Sequence, residues 1–175
     1  MADRIITELE LVERYARARQ DENRRFGSYV KRLQMPGAAL DAVVRETADE
    51  VMEQVDCTLC GNCCKTMYVT VDQFDIERLA KRLGMKPHAF ERKYVVMADD
   101  REKLLSRVPC AFLDGTRCSV YEDRPRACRD FPYLHVRGFR ERTFMMMNNT
   151  VLCPIVYNTL EQVKPKVGFQ PKRKK

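Results

Sequence analysis

The sequence predicts a mostly helical α+β fold, with an N-terminal helical hairpin followed by a small cysteine-rich domain. Three observations carry that expectation. Apolar residues recur at three- and four-residue spacing through residues 1–55, the mark of amphipathic helices. Eight cysteines occupy the stretch from Cys57 to Cys153. The apolar runs between them are short and broken by Gly, Pro and an Asp-Gly pair, which leaves little room for extended sheet.

In the first segment, Ile5, Leu9, Val12 and Ala16 share one helical face, continued by Phe26, Val30 and Leu33. Glu10–Arg14 and Glu13–Arg17 are i,i+4 pairs in the favoured order. Gly27-Ser28 is a soft point where one bent helix or two can form, and Pro36-Gly37 ends the stretch. A second helix is expected over 40–55, with Leu40, Val43, Val44, Ala48, Val51, Met52 and Val55 on one face, antiparallel to the first. Residues 1–55 hold no catalytic constellation. They read as a helical arm packed on the cysteine domain, or else as a partner-binding or dimerising surface.

Residues 56–66 read as a polar, Cys- and Gly-containing loop, and Met67-Tyr68-Val69 as a short strand. Thr70-x-x-Gln73 fits a capping box that opens a helix through Leu83, with Phe74, Leu79, Ala80 and Leu83 inward and Gly84 as its stop. Pro87 starts a short helical turn toward Tyr94. Asp114-Gly115, set between the apolar runs of Cys110–Leu113 and Cys118–Tyr121, signals a β-hairpin. Pro125 at the N1 position begins a short helix carrying Cys128, which Phe131-Pro132 closes. Tyr133–Met147 is expected to be extended, with Gly138 as a bend and Met145-Met146-Met147 filling core. Pro154 starts a last helix reaching Val163.

The composition, 45% hydrophobic and 33% charged, is that of a globular chain and excludes collagen-like, low-complexity and wholly disordered classes. No apolar run exceeds five residues, and Phe144–Met147 has four, so no transmembrane helix is expected. Met1-Ala2-Asp3-Arg4 leads into mixed charges without an apolar stretch, so no signal peptide is expected, and the predicted location is cytoplasmic. The net charge of +7 is unevenly spread: −2 over residues 1–55, +3 over 56–163 and +6 over 164–175. The expected domains follow: a helical arm (1–55), a cysteine-cluster domain (56–163) and a disordered basic tail (164–175). The tail is a solubility element that can touch RNA weakly.

In a reducing compartment, clustered cysteines point to metal ligation rather than disulfides. Cys57-x-x-Cys60-x-x-Cys63-Cys64 is the strongest signal in the chain. A Cys-x-x-Cys step lets the backbone curl so that two sulfurs face one ion, and Gly61 supplies permissive dihedrals. Cys63 and Cys64 are adjacent, so their side chains diverge to different ions, or one stands behind the other. Cys110, Cys118, Cys128 and Cys153 each sit at a turn or helix start, where metal loops form. All eight, Cys57, Cys60, Cys63, Cys64, Cys110, Cys118, Cys128 and Cys153, are therefore candidate ligands. His88 and His135 lie outside ligand spacing, and no catalytic residue is assigned.

The blocks Cys57-Thr-Leu-Cys60-Gly-Asn-Cys63-Cys64, Cys110-Ala-Phe-Leu-Asp, Arg117-Cys118-Ser-Val-Tyr-Glu, Arg124-Pro-Arg-Ala-Cys128-Arg-Asp-Phe-Pro and Cys153-Pro together resemble the YkgJ-like CxxCxxCC cysteine-cluster family. The resemblance spans 57–153 and implies a zinc- or iron-chelating domain. Within it, Arg124 and Arg129 are expected to support the cysteines from behind, whereas Arg126 pairs with a nearby acid. Flagellin lysine methylases share the cysteine pattern and are associated with an iron–sulfur cluster, but no G-x-G-x-x-G loop occurs here.

Metal identity stays open between Zn²⁺ and iron, including a [4Fe-4S] cluster, in one site or two. Zinc takes four ligands, commonly from two Cys-x-x-Cys knuckles, and only residues 57–64 are knuckle-like. Three cysteines at x₂ spacing with a remote Cys-Pro, here Cys57, Cys60, Cys63 and Cys153-Pro154, fit an iron–sulfur outline.

Overall fold

The computed structural model describes residues 5–171. The fold is mostly helical, with ten α-helices and two small two-stranded sheets among the described residues. It divides into two compact units. Among the described residues, the helical unit comprises 5–56 with 132–171, and the cysteine unit comprises Cys57–Phe131. Residues 132–163, placed by sequence in the cysteine domain, thus belong with the N-terminal helices.

In the helical unit, α1 (Leu9–Ala18) and α2 (Gln20–Arg32) are separated by a break at Arg19, earlier than the Gly27-Ser28 soft point. Gly27 instead stays helical. A Cβ there would meet Met147 Cε at 2.8 Å, so it is the point where α2 and α9 (Phe139–Asn149) pack most closely. α3 (Gly37–Met52) buries Leu40, Val44, Ala48 and Val51 as the periodicity predicts. Its main partner is not the preceding helix but α10 (Pro154–Lys166), with α9 beside it. Periodicity names the buried face and is silent on what covers it.

The extended segment expected over Tyr133–Met147 is instead the helix α9 over most of its length. Its first two amides are capped from a distance: Asp41 Oδ2 and Oδ1 accept from the Gly138 and Phe139 N–H groups, both at 2.9 Å. Met146 and Phe139 are buried, while Phe144 stands exposed. Pro154 opens α10, which runs past Val163 to Lys166 and carries Pro165 inside its last turn. The expected tail also begins later than Lys164. That residue is helical and 2% exposed, with its Nζ 2.7 Å from Glu22 and 2.5 Å from Glu161, and Val167 and Phe169 are buried. Lys172, Arg173, Lys174 and Lys175 lie outside the described residues.

The cysteine unit is built on one apolar cluster of Val71, Ile76, Leu79, Ala80, Phe90, Leu105, Phe112 and Val120, against which Cys110 and Cys118 pack. Residues 56–66, expected as loop, form two short helices, α4 (Cys57–Cys60) and α5 (Asn62–Thr66). α6 (Gln73–Arg82) opens with a capping box, but between Asp72 and Asp75 rather than Thr70 and Gln73. With Ile76, Leu79 and Ala80 setting the inner face, Phe74 falls on the outer side and is 77% exposed, and Leu83 is also exposed. α7 (Pro87–Tyr94) starts at its proline and runs directly into β1 (Val95–Met97), which pairs antiparallel with β2 (Lys103–Leu105). Thr70 bridges to Leu104, so the strand expected at 67–69 is reduced to an edge contact. β3 (Leu113–Asp114) and β4 (Arg117–Cys118) form the hairpin that Asp-Gly signalled, with Gly115 at φ 60°. Pro125 is the N-cap, one residue before its expected N1 place, of α8 (Arg126–Asp130), which carries Cys128.

Candidate metal centre

All eight cysteines are thiols rather than disulfides. Seven lie in the cysteine unit; Cys153 is buried in the helical unit as the N-cap of α10. Cys57 is exposed and opens α4, and Cys60 ends it. Gly61 then reverses the chain at φ 61°, a left-handed conformation that L side chains adopt at a cost. A Cβ at this position would also meet the Thr116 carbonyl oxygen at 2.9 Å. Gly61 is thus required twice: for its dihedral, and for the closeness with which the β3–β4 turn approaches.

Past Gly61, Cys63 and Cys64 sit side by side on α5 with their sulfurs 3.9 Å apart. The Cys64 carbonyl accepts from the Cys110 N–H at 2.8 Å, which fixes the start of the hairpin segment against α5. Cys110 and Cys118 occupy the two arms around β3 and β4. Each sulfur accepts a hydrogen bond from the amide two residues on, Phe112 for Cys110 and Val120 for Cys118. Amide donors at this offset stabilise a thiolate, as they do in the loops that present cysteine to a metal.

Cys128 completes the group from α8. Its thiol is pushed up to about 12, first by burial and then by Cys64, Cys110 and Cys118, with Arg124 acting the other way. Burial also raises Cys110 and Cys118, and both feel Cys64. Cys64 itself is raised strongly by the adjoining Cys63 thiol and by burial. These thiols are electrostatic neighbours. Among the described residues, however, no three Cys, His, Asp or Glu side chains are closed into a finished ligand set. Drawing sulfurs together is favourable only when they are thiolates around a cation, and these thiols raise one another toward neutrality.

Two supports behind the cysteines carried no sequence signal as a pair. Asp75 is 3% exposed. Its Oδ1 accepts from Arg78 Nη2 at 2.5 Å and from the Arg126 N–H at 3.1 Å, holding the first amide of α8. Arg78 then donates to the carbonyls of Asp123 (3.2 Å) and Arg124 (3.0 Å). Arg129 also donates to the Arg124 carbonyl, at 2.6 Å, while Arg124 covers the Tyr121 ring and lowers both Cys118 and Cys128. Arg126 pairs with Asp130 at 3.3 Å. His135 lies 3.8 Å from Asp49 in the helical unit.

A half-buried set of soft sulfur donors, two of them with amide donors already in place, fits zinc or iron and suits a hard cation poorly. The fold and site therefore define a cysteine-rich, mostly helical metal-chelating protein. A sequence family described as "CxxCxxCC: Putative zinc- or iron-chelating domain" matches residues 56–154, more than half of the chain. The chain belongs to that family. No solved structure matches it. Among the described residues, no helix is long and apolar enough to cross a membrane.

Proposed function

We propose that the chain is a cytoplasmic metal-binding protein whose ion, zinc or iron, is held by Cys64, Cys110, Cys118 and Cys128. The ion mainly fixes the loop-rich cysteine unit. What supports this reading is that Cys64, Cys110 and Cys118 each act electrostatically on the buried Cys128 thiol, and that the Cys64 carbonyl accepts from the Cys110 N–H. A bound cation would keep the thiols deprotonated and join three separate pieces of chain: α5, the β3–β4 hairpin and α8. Zinc requires the fewest additional components.

The test is elemental analysis of protein purified without oxygen, repeated on single Cys→Ser variants. About one ion per chain, lost together with thermal stability in Cys64→Ser, Cys110→Ser, Cys118→Ser and Cys128→Ser, is the expected result. Stability unaffected by chelation would refute the structural role.

A second reading rests on the surplus of sulfur. Seven cysteines in one unit exceed what a single tetrahedral ion takes. Cys57, Cys60 and Cys63 would then serve a second ion or an iron–sulfur centre, in a redox protein or an enzyme related to the flagellin lysine methylases. A brown protein with iron and labile sulfide favours this reading, and a colourless one with stoichiometric zinc favours the first.

A further inference from the structure

The β1–β2 ladder of the cysteine unit leaves one sheet edge open. Beyond its two ends, the Ser106 N–H donates to the Tyr94 carbonyl and the Ala98 N–H to the Glu102 carbonyl, each at 2.8 Å. Hydrogen-bonded positions alternate along an antiparallel pair, so Tyr94, Val96 and Ala98 face β2, while Val95 and Met97 turn their backbone groups outward. The far side of β2 is occupied. The Lys103 carbonyl accepts from the Val71 N–H, and the Leu105 N–H donates to the Val69 carbonyl, both at 2.9 Å. β2 is therefore interior and β1 is an outer strand. The Val95 N–H is taken by the Glu91 carbonyl at the end of α7. The edge thus presents the Val95 carbonyl together with the N–H and carbonyl of Met97.

This edge carries none of the usual safeguards. Outer strands are commonly blunted by a lysine, a proline or a bulge, whereas Val95-Val96-Met97 has an unbroken register and neither residue type. Val96 is 43% exposed and Met97 62% exposed. Charges of opposite sign stand at the two ends: Lys93 precedes the strand and Asp99 follows it, both exposed. Such an edge is electrostatically complementary to an antiparallel copy of itself.

We propose that β1 pairs with β1 of a second copy of this chain, about a two-fold axis through Val96. Val95 then lies opposite Met97 of the other copy. Each Met97 N–H donates to the opposing Val95 carbonyl, which gives two symmetric hydrogen bonds. The two Val96 side chains meet in the closely spaced kind of cross-strand pair, and Lys93 comes beside Asp99 at both ends. Three residues a side make a small interface, so the dimer is a weak one. The inference is independent of the metal reading.

The test is sedimentation equilibrium of the full chain as purified, from about 10 µM to about 1 mM, with reductant present so that intermolecular disulfides do not mimic the dimer. The expected mass rises from monomer toward dimer across that range. Met97→Pro removes the outward donor without touching the β1–β2 ladder, and should weaken association about tenfold or more, the effect of losing two hydrogen bonds. Lys93→Asp and Asp99→Lys should each weaken it about tenfold. The double variant K93D/D99K should restore it, which a merely structural effect would not do. Native circular dichroism in each variant separates these effects from misfolding. A monomer at every concentration, equally strong association in natively folded Met97→Pro, or charge reversals that the double variant fails to rescue would overturn the proposal.

Discussion

Removing the Asp75 carboxylate should loosen Cys128 without touching a cysteine. Asp75→Ala deletes the bond to Arg78 at 2.5 Å, the bond to the Arg126 N–H at 3.1 Å and the capping contact from the Asp72 N–H at 3.3 Å. Breaking a buried charge pair typically costs about 3–5 kcal/mol, because the remaining charge is stranded. Arg78 is not fully stranded here. Its side chain is 29% exposed and keeps the Asp123 and Arg124 carbonyls, so the pair is worth the low end of that range. Together with the unpaired Arg126 amide, the expected loss is about 3 kcal/mol in urea unfolding. Asp75→Asn retains one acceptor oxygen and should lose about half as much. Because the Arg126 amide opens α8, Cys128 should react faster with a thiol reagent in Asp75→Ala, while exposed Cys57 reacts as before. A loss below about 1 kcal/mol with unchanged Cys128 labelling would refute the argument.

Gly61→Ala and Gly84→Ala form a matched pair: φ is 61° and 63°, but only at Gly61 would the new Cβ face a neighbour, the Thr116 oxygen at 2.9 Å. Both should lose about 1–2 kcal/mol to the left-handed backbone, with Gly61→Ala costing at least about 1 kcal/mol more in denaturant titration and also weakening metal retention. Asp41→Ala uncaps α9 at two amides and should lower stability by about 1–2 kcal/mol in the same assay. Burial, with Glu161 next, raises Tyr157 from 10.0 to about 12. Between those values the native state holds a proton that the unfolded chain has released. The stabilisation is complete below pH 10, falls as pH rises, and is gone by about pH 12. Tyr157→Phe should flatten that part of a pH–stability profile, and coincident profiles would rule the shift out.

Where structure follows from neighbouring residues, the sequence was readable. Pro87 and Pro154 open helices at the expected positions because a missing N–H costs nothing in a first turn. Asp114-Gly115 makes its hairpin because glycine accepts the positive φ that a two-residue turn requires. The misreadings occur where the deciding partner is remote. The α9 segment has no local cap, since Asp41 lies 97 residues before Gly138, and its Phe144–Met147 run obscures helical periodicity. Lys164 looked like tail in a stretch without acids, yet its partner Glu22 is 142 residues away. Thr70-x-x-Gln73 lost to Asp72 and Asp75 because a carboxylate at the cap is the stronger acceptor and Asp75 serves α8 as well.

The candidate centre divides along the same line. The order of the cysteines identifies the chemistry, but spacing alone favours Cys57, Cys60 and Cys63, the run that looks most like a knuckle. The proposed four-thiol grouping would depend instead on residues that are not cysteine: Gly61 lets α5 turn beneath Thr116, the Phe112 and Val120 amides donate to sulfur, and Asp75 with Arg78 sets α8. Each of these acts on a different piece of backbone, so no single spacing rule contains them all. It follows that the four thiols should be separable by perturbation. Loss of Asp75 should release Cys128 first, a Cβ at Gly61 should disturb Cys63 and Cys64 first, and neither should alter the Phe112 and Val120 amide contacts within the hairpin.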